Sequence, residues 1–304
     1  MPKRALAEER KYLMESFSVG TMKVYRVEEL RGPLPPDYLF VGYEQEAWLA
    51  REEEFTPKYF RDGACNAFVQ SWIIDTGEKV ILFDTGVGNQ KARPAVDFFD
   101  QLDTGFLSEM ERIGFPRERI DIVVNSHLHV DHVGWNTLRE DGEWRPTFPN
   151  AKYIFSELDR DHWDPANWGR TEPRGTGINQ NVFEDSVQPI LDADLAEIVG
   201  AGYQVAPGLT LSYAPGHTPG QMVMTAQSGD AAALFVGDTL HHPMQIYRPD
   251  WSSAFCEDPV LSAKTRSEIL GLASDMNARL VPAHFGGKHW VWVERDNRGF
   301  KFSD

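Results

Sequence analysis

The sequence predicts an α/β protein built as two packed layers of strands and helices around a shared core. Three observations predict it. Short apolar runs bounded by Gly, Pro and Asp fall into two groups, each a set of strands, a helix and further strands. Four of these runs end in a His or Asp beside a turn. The chain of 304 residues is 41% hydrophobic and 25% charged, which suits a globular protein large enough for a sizeable core.

Taken in order, residues 1–60 read as an N-terminal extension to a catalytic domain spanning 61–304. The extension contains the turn-rich "RGPLPPDY" and the acidic "REEEF", and is a candidate oligomer contact. Its first twenty residues are charged throughout and lack the apolar stretch of a secretory signal. "AFVQSWIID" and "KVILFD" then predict a hairpin of buried strands. The spacing of Val96, Phe99, Leu102, Phe106 and Met110 predicts a helix over 92–113. "IDIVVNS" and "KYIFS" predict strands, and a helix starts at Glu157. "NVFEDSVQPILDADLAEIV", broken by Pro189, predicts at most two short helices. Strands are predicted in "YQVAPGLTLSYAPG", "QMVMTAQ", "AALFVGD", "ARLVPAH" and "HWVWVER", with a helix over 258–275.

The net charge of −16, without any Lys/Arg-rich run, argues against nucleic-acid and anionic-membrane partners. No apolar run reaches the ~18 residues of a membrane span. The two cysteines, Cys65 and Cys256, lie far apart and form no C-x-x-C pair, which fits a reducing compartment. The cytoplasm is the expected location.

The chemistry concentrates in Ser126–Trp135, "SHLHVDHVGW". Three of the chain's nine histidines and one aspartate fall within His127–His132. Imidazole nitrogen and carboxylate oxygen suit Zn²⁺, Mn²⁺ or Fe. His127 and His129 share a side at the end of a strand, and Asp131 and His132 follow in the turn. Further ligands come from "APGHTPGQ" (His217), "LFVGDTL" (Asp238) and "LVPAHFGG" (His284), each ending an apolar strand where loops place chemistry on a rigid scaffold. Taken singly, His284 would be a hydrogen-bonded structural histidine and Asp238 a cap or turn residue. Together with the loop they indicate a metal site. His162, His242 and His289 receive no role.

With Asp84 in "FDTG", these residues resemble the metallo-β-lactamase-fold hydrolases over roughly Asn66 to His289. The resemblance implies an αββα sandwich with the site at one edge between the sheets. It implies two divalent ions, zinc foremost with Mn or Fe as alternatives. His127, His129 and His217 would bind one, and Asp131, His132 and His284 the other. Asp238 would bridge both, where true β-lactamases carry Cys or Ser, and Asp84 would support the cluster from beneath. A bridging water would become hydroxide at neutral pH and attack a carbonyl or phosphoryl centre, with Asp131 accepting and passing on a proton.

Among the subfamilies, the "SHLHxDHxG", "PGHTPGQ" and "GDT" segments are similar to the N-acyl-homoserine-lactone lactonases and methyl-parathion-hydrolase-like enzymes. The lactonases carry Tyr three residues after the bridging Asp. Here that position is His241, a candidate donor to the substrate carbonyl. The expected substrate is a small molecule with a lactone or ester group, or alternatively a phosphotriester. Three other readings are a glyoxalase-II-like thioesterase, a sulfur dioxygenase with one iron, and a non-catalytic metal-binding scaffold. The chain ends about twenty residues after His284, which leaves no room for the glyoxalase's basic C-terminal region. Of the aromatics near the motifs (Trp135, Trp163, Trp168, Phe183, Trp251, Phe255 and Phe285), core packing is expected to claim more than half. The irregular "DHWDPANWGRTEPRGTGINQNVF" loop is expected to line or cap the pocket.

Overall fold

Alternation along the strands sorts the apolar side chains onto two faces, and this sorting builds the molecule. In the strand Lys152–Ser156, Ile154 points one way and Tyr153 and Phe155 the other. The computed structural model describes residues 15–169 and 173–304. Residues 1–14 of the expected extension and 170–172 of the expected cap loop lie outside the described residues.

The first sheet runs in sequence order: β1 (Ser16–Val19), β2 (Met22–Leu34), β3 (Ala64–Asp75), β4 (Val80–Phe83), β5 (Ile122–Val124), β6 (Lys152–Ser156) and β7 (Ala196–Val199), with the short strand Phe60–Arg61 paired to β3. Pairing is antiparallel from β1 to β4 and parallel from β4 to β7. The second sheet is also in sequence order: β8 (Gln204–Ala206), β9 (Leu209–Tyr213), β10 (Met222–Ser228), β11 (Ala231–Gly237), β12 (Arg279–Pro282), β13 (Val291–Asp296) and β14 (Gly299–Ser303), parallel only between β11 and β12.

The sheets pack face to face through Val24, Trp72, Ile74, Phe83 and Val124 of the first and Leu211, Met224, Phe235 and Val281 of the second. The outer face of the first sheet is covered by helix α1 (Phe106–Arg112) and helix α2 (Glu157–Trp163) through Phe106, Met110 and Trp163. The outer face of the second is covered by helix α3 (Pro259–Asp275) through Ile269, Leu270 and Ala273. This is an αββα sandwich. Among the described residues no helix is long and apolar enough to cross a membrane.

Residues 15–60, the described part of the expected extension, are woven into both layers. β2 pairs with β3 from Lys23↔Asp75 to Leu34↔Cys65. Leu39, Trp48, Phe55 and Tyr59 then pack over the second sheet.

Two local expectations are corrected. The helix predicted over 92–113 exists only as Phe106–Arg112. Pro94 interrupts the spacing, and Gln90 and Gln101 take left-handed backbone. Asp100 Oδ1 accepts the Arg93 amide at 2.6 Å, while Asn89 and Thr104 clip the loop shut at 2.7 and 3.0 Å. The segment predicted as two short helices contains a π-helical turn (Phe183–Val187) and a short helix (Gln188–Asp192), but its "AEIV" is edge strand β7. Pro189 stands near the helix start, where it costs no hydrogen bond.

Candidate metal centre

β5 ends at Val124, and the chain then turns through His127, His129, Asp131 and His132. Side chains from elsewhere shape this turn. Asp159 Oδ2 accepts the Leu128 amide at 3.1 Å, and Asn179 Oδ1 accepts that of Val130 at 2.8 Å. The Asn125 side-chain amide donates to the His132 carbonyl at 2.7 Å. Asp84, in left-handed backbone at φ 58°, accepts the Ser126 amide and hydroxyl at 2.7 and 2.9 Å and the His132 Nδ1–H at 3.0 Å.

The remaining ligand-type residues arrive separately from the ends of β9, β11 and β12. His217 has its Nδ1 3.5 Å from the Cys256 thiol. Asp238 follows Gly237, and the next carbonyl, that of Thr239, accepts from the buried Arg266 guanidinium at 2.7 Å. His284 donates from Nδ1 to the Phe68 carbonyl at 2.6 Å. With Nδ1 of His132 and His284 donating to Asp84 and the Phe68 carbonyl, their Nε2 atoms face Asp238, and each would offer a lone pair to a cation that displaces its proton.

Asp238 stands at the centre with its two oxygens facing different partners. Oδ2 lies 3.1 Å from His241 Nε2, 3.3 Å from His217 Nε2 and 3.9 Å from His127 Nε2. Oδ1 lies 2.9 Å from His284 Nε2 and 3.2 Å from His132 Nε2. Asp131 closes the second group at 3.5 Å from His132 Nε2 and 3.6 Å from His284 Nε2. His129 joins the first group through Nδ1, 2.9 Å from His217 Nε2. The geometry thus brings together all seven sequence-identified ligand residues, with Asp84 beneath them and His241 beside Asp238.

Do these residues fit a cation? His127 Nε2, His132 Nε2 and Asp238 Oδ1 are buried without hydrogen-bond partners, a costly state that a bound cation relieves. Ligand atoms of His127, His129 and His217, and of Asp131, His132 and His284, lie within 4.8 Å of one another. Burial pushes His127 and His217 well below the ordinary imidazole range and His129 down to about 4, so these rings are neutral, the form that coordinates a metal. Burial opposes charge on His284 too, yet Asp238 and Asp131 hold it up at about 9, a sign of how strongly this side attracts positive charge.

A cavity of about 370 Å³ opens onto the cluster, with His129, Asp131, His217, Asp238, His241 and His284 in its wall. The rest of the wall is largely apolar: Leu30, Phe68, Val96, Phe98, Phe99, Ile178 and Phe255. Phe98 is half exposed and rests over Gly32, where an added Cβ would come within 2.7 Å of its ring. Arg174, Gly175, Ile178 and Asn179 place the irregular loop in this wall as expected. Of the aromatics near the motifs only Phe255 lines the cavity. Trp135, Trp163, Phe183, Trp251 and Phe285 belong to the cores, and Trp168 lines a neighbouring cavity. His242 is structural: it accepts the Met244 amide at Nδ1 (3.1 Å) and reaches the Tyr59 carbonyl from Nε2 (3.2 Å).

Sequence reasoning missed the supports. Asp159 binds Leu128, the Thr218 hydroxyl (2.9 Å) and the Gly220 amide (2.6 Å), and so ties both ligand-bearing halves to α2. Its local signal, Ser156 three residues earlier, reads only as a helix-capping box.

Residues 66–284 match the metallo-beta-lactamase superfamily. The chain belongs to this superfamily. Among curated relatives, the N-acyl homoserine lactonase of Bacillus cereus is 25% identical over 178 residues, covering 54% of this chain and 61% of its own length. The N-acyl homoserine lactonase AttM of Rhizobium radiobacter is 22% identical over 190 residues, 60% of this chain and 64% of its own. The match thus spans under two thirds of the length of these relatives. Among solved superfamily structures, the hydrolase AbOPH superposes with a TM-score of 0.79 at 18% identity, covering 95% of this chain and 96% of its own. AidC, a dizinc quorum-quenching lactonase in complex with a product, superposes with a TM-score of 0.77 at 20% identity and the same coverages. At these identities the structural likeness establishes the fold.

Proposed function

We propose that the protein is a metal-dependent hydrolase with two divalent ions per chain, zinc first among them, acting on a lactone or ester carbonyl. The observation that carries this reading is Asp238, whose two oxygens face two separate ligand groups. His127, His129 and His217 would hold one ion, and Asp131, His132 and His284 the other, with Asp238 shared and Asp84 orienting His132. Bound there, the ions would supply Lewis acidity and a water activated at neutral pH.

The chain's own residues would do the rest. The apolar wall receives the acyl portion and excludes water. Asp131, at the cavity and partly exposed, takes the proton released on attack and passes it to the leaving oxygen. His241 also lines the cavity; its Nε2 faces Asp238 Oδ2 at 3.1 Å, and its Nδ1 has no hydrogen-bond partner. It is placed to donate to the carbonyl oxygen as charge develops there. At saturating metal, His241→Ala should lower kcat more than it raises KM, by up to ~10²-fold. An unchanged kcat on both lactone and ester would remove it from the reaction.

Elemental analysis of protein purified without chelator, followed by a screen over lactones, aryl esters, thioesters and phosphotriesters, tests the whole reading. We expect two ions per chain and turnover on lactones or esters. Uptake that stays at one ion after supplementation would overturn the bridging role of Asp238. Turnover confined to phosphotriesters or thioesters would reassign the substrate. The resident solution state is proposed as a homodimer through the segment before residue 61. Such a contact would use the exposed Tyr38, Val41 and Leu49, because Leu39, Trp48 and Phe55 are buried within the chain. Sedimentation of a Leu49→Glu variant tests it.

A further inference from the structure

We propose that Glu29 is a positioning residue that fastens the metal-binding loop and the cavity wall to a single buried carboxylate. This rests on the metal centre proposed above. Glu29 lies outside the stretch that matches the superfamily, on β2, where the pairing register with β3 shifts between Glu28 and Leu30. The extra residue of such a bulge re-aims a side chain, and bulges concentrate near active sites.

Four donors converge on the carboxylate. Oε2 accepts the Val87 amide at 2.6 Å. Oε1 accepts the Trp135 indole N–H at 2.6 Å, the Gly88 amide at 3.1 Å and the Thr104 hydroxyl at 3.3 Å. These donors belong to three segments. Val87 and Gly88 follow Asp84. Trp135 is three residues past His132. Thr104 closes the loop that carries Val96, Phe98 and Phe99 of the cavity wall.

Tight contacts carry the position of Glu29 onward to the ligands. The amides of Gly134 and Trp135 donate to the carbonyls of Gly86 and Thr85 at 2.7 and 2.8 Å, and the Thr85 amide donates to the His132 carbonyl at 2.8 Å. There is no slack between the two loops. A Cβ at Gly86 would lie 2.1 Å from Glu29 Oε2, and one at Gly134 would lie 1.8 Å from the Val87 carbonyl oxygen. Displacing Glu29 therefore moves the backbone that sets His132 and Asp84.

All four donors favour the ionised carboxylate, against burial that pushes Glu29 up to about 7. In Glu29→Gln one oxygen becomes an NH₂, which opposes either the Val87 amide or the three donors on the other side. We expect Glu29→Gln to surrender its metal to chelator at about tenfold lower chelator concentration than wild type, in the range of supporting residues at metal sites. In metal-free protein, amide hydrogen exchange over 84–88 and 127–135 should accelerate about tenfold while the second sheet keeps its protection. Val24→Ala, which trims the core from the same strand, is the control. It should lower Tm while leaving metal retention and exchange over 127–135 as in wild type. Wild-type exchange over 127–135 in Glu29→Gln would overturn the proposal, as would equal metal loss in Val24→Ala. If wild type takes up no metal, the hydrolase reading falls, while the exchange measurement still decides the role of Glu29.

Discussion

The two halves of the sandwich contribute to one centre in opposite ways. The first supplies four candidate ligand residues from a single turn after β5. The second supplies three, one each from the ends of β9, β11 and β12. The supports differ accordingly. A turn has no ladder to hold it, so the first half braces it with polar side chains: Asp84, Asp159 and Asn179. In the second half, strand register already aims the residues, and the partners are a thiol at His217 and a main-chain carbonyl at His284. The first turn is held mainly by polar side chains and the second set mainly by strand ends, with Asp159 also holding Thr218 and Gly220 beside His217.

The comparison can be broken most severely at Asp238, the one residue that faces both groups. Asp238→Ala should reduce metal uptake at both positions to background, and hydrolysis with it. Retention of one tightly held ion in elemental analysis would show that the halves bind independently. Next comes Asp131→Asn, which keeps the shape of the turn but removes its base. Turnover should fall by ~10²–10⁴-fold with metal partly retained. Near-normal kcat would move the proton acceptor elsewhere.

Smaller effects test the supports directly. Asp84→Asn should weaken metal binding by about 10–100-fold, because His132 loses its carboxylate partner. Cys256→Ala, acting on His217 through a long thiol contact, should cost only a few-fold. Equal losses in a chelator competition would erase the distinction between the halves. A further test reads stability rather than metal binding, through a pH dependence at Asp159. Burial raises its carboxyl to about 6, although Thr218, Gly220 and Leu128 favour the charged form. The folded chain therefore holds this proton more tightly than the unfolded chain. The stabilisation is full below pH ~4 and is lost as pH rises through about 6, on the order of 1–3 kcal/mol. Asp159→Asn should flatten that part of the stability curve in denaturant titrations.

What was legible in the sequence follows the same division. The seven candidate ligand residues stood out because three histidines crowd into six positions and because the other three end apolar strands. The strands were legible where alternation is unbroken. β2 was not: its buried positions run Met22, Val24, Val27, and the change of phase hides a strand that pairs with β3 along most of its length. Residues 92–105 carried helical spacing, but Ala95, Val96, Phe98 and Phe99 face the cavity and the backbone follows Pro94 and the Asn89–Thr104 clip. Asn179 and Glu29 left no pattern at all, and Asp159 only the capping-box spacing after Ser156. Each is one polar residue whose partners are distant in sequence, so only the folded chain shows what it holds.

Phe98 resting on Gly32 has a consequence for how such a molecule changes over time. Much of the cavity wall, Val96, Phe98, Phe99, Ile178 and Phe255, sits in irregular segments that carry neither ladder hydrogen bonds nor ligands. Gly32 belongs instead to the strand part of the wall, and its missing side chain leaves room for the ring. A mutation at Phe98 can therefore widen the mouth without touching the reacting centre, whereas one at Gly32 would lever the ring outward from the scaffold itself. Selection for new substrates has an inexpensive route through the loops and a costly one through the sheet, and drift in specificity should accumulate along the first.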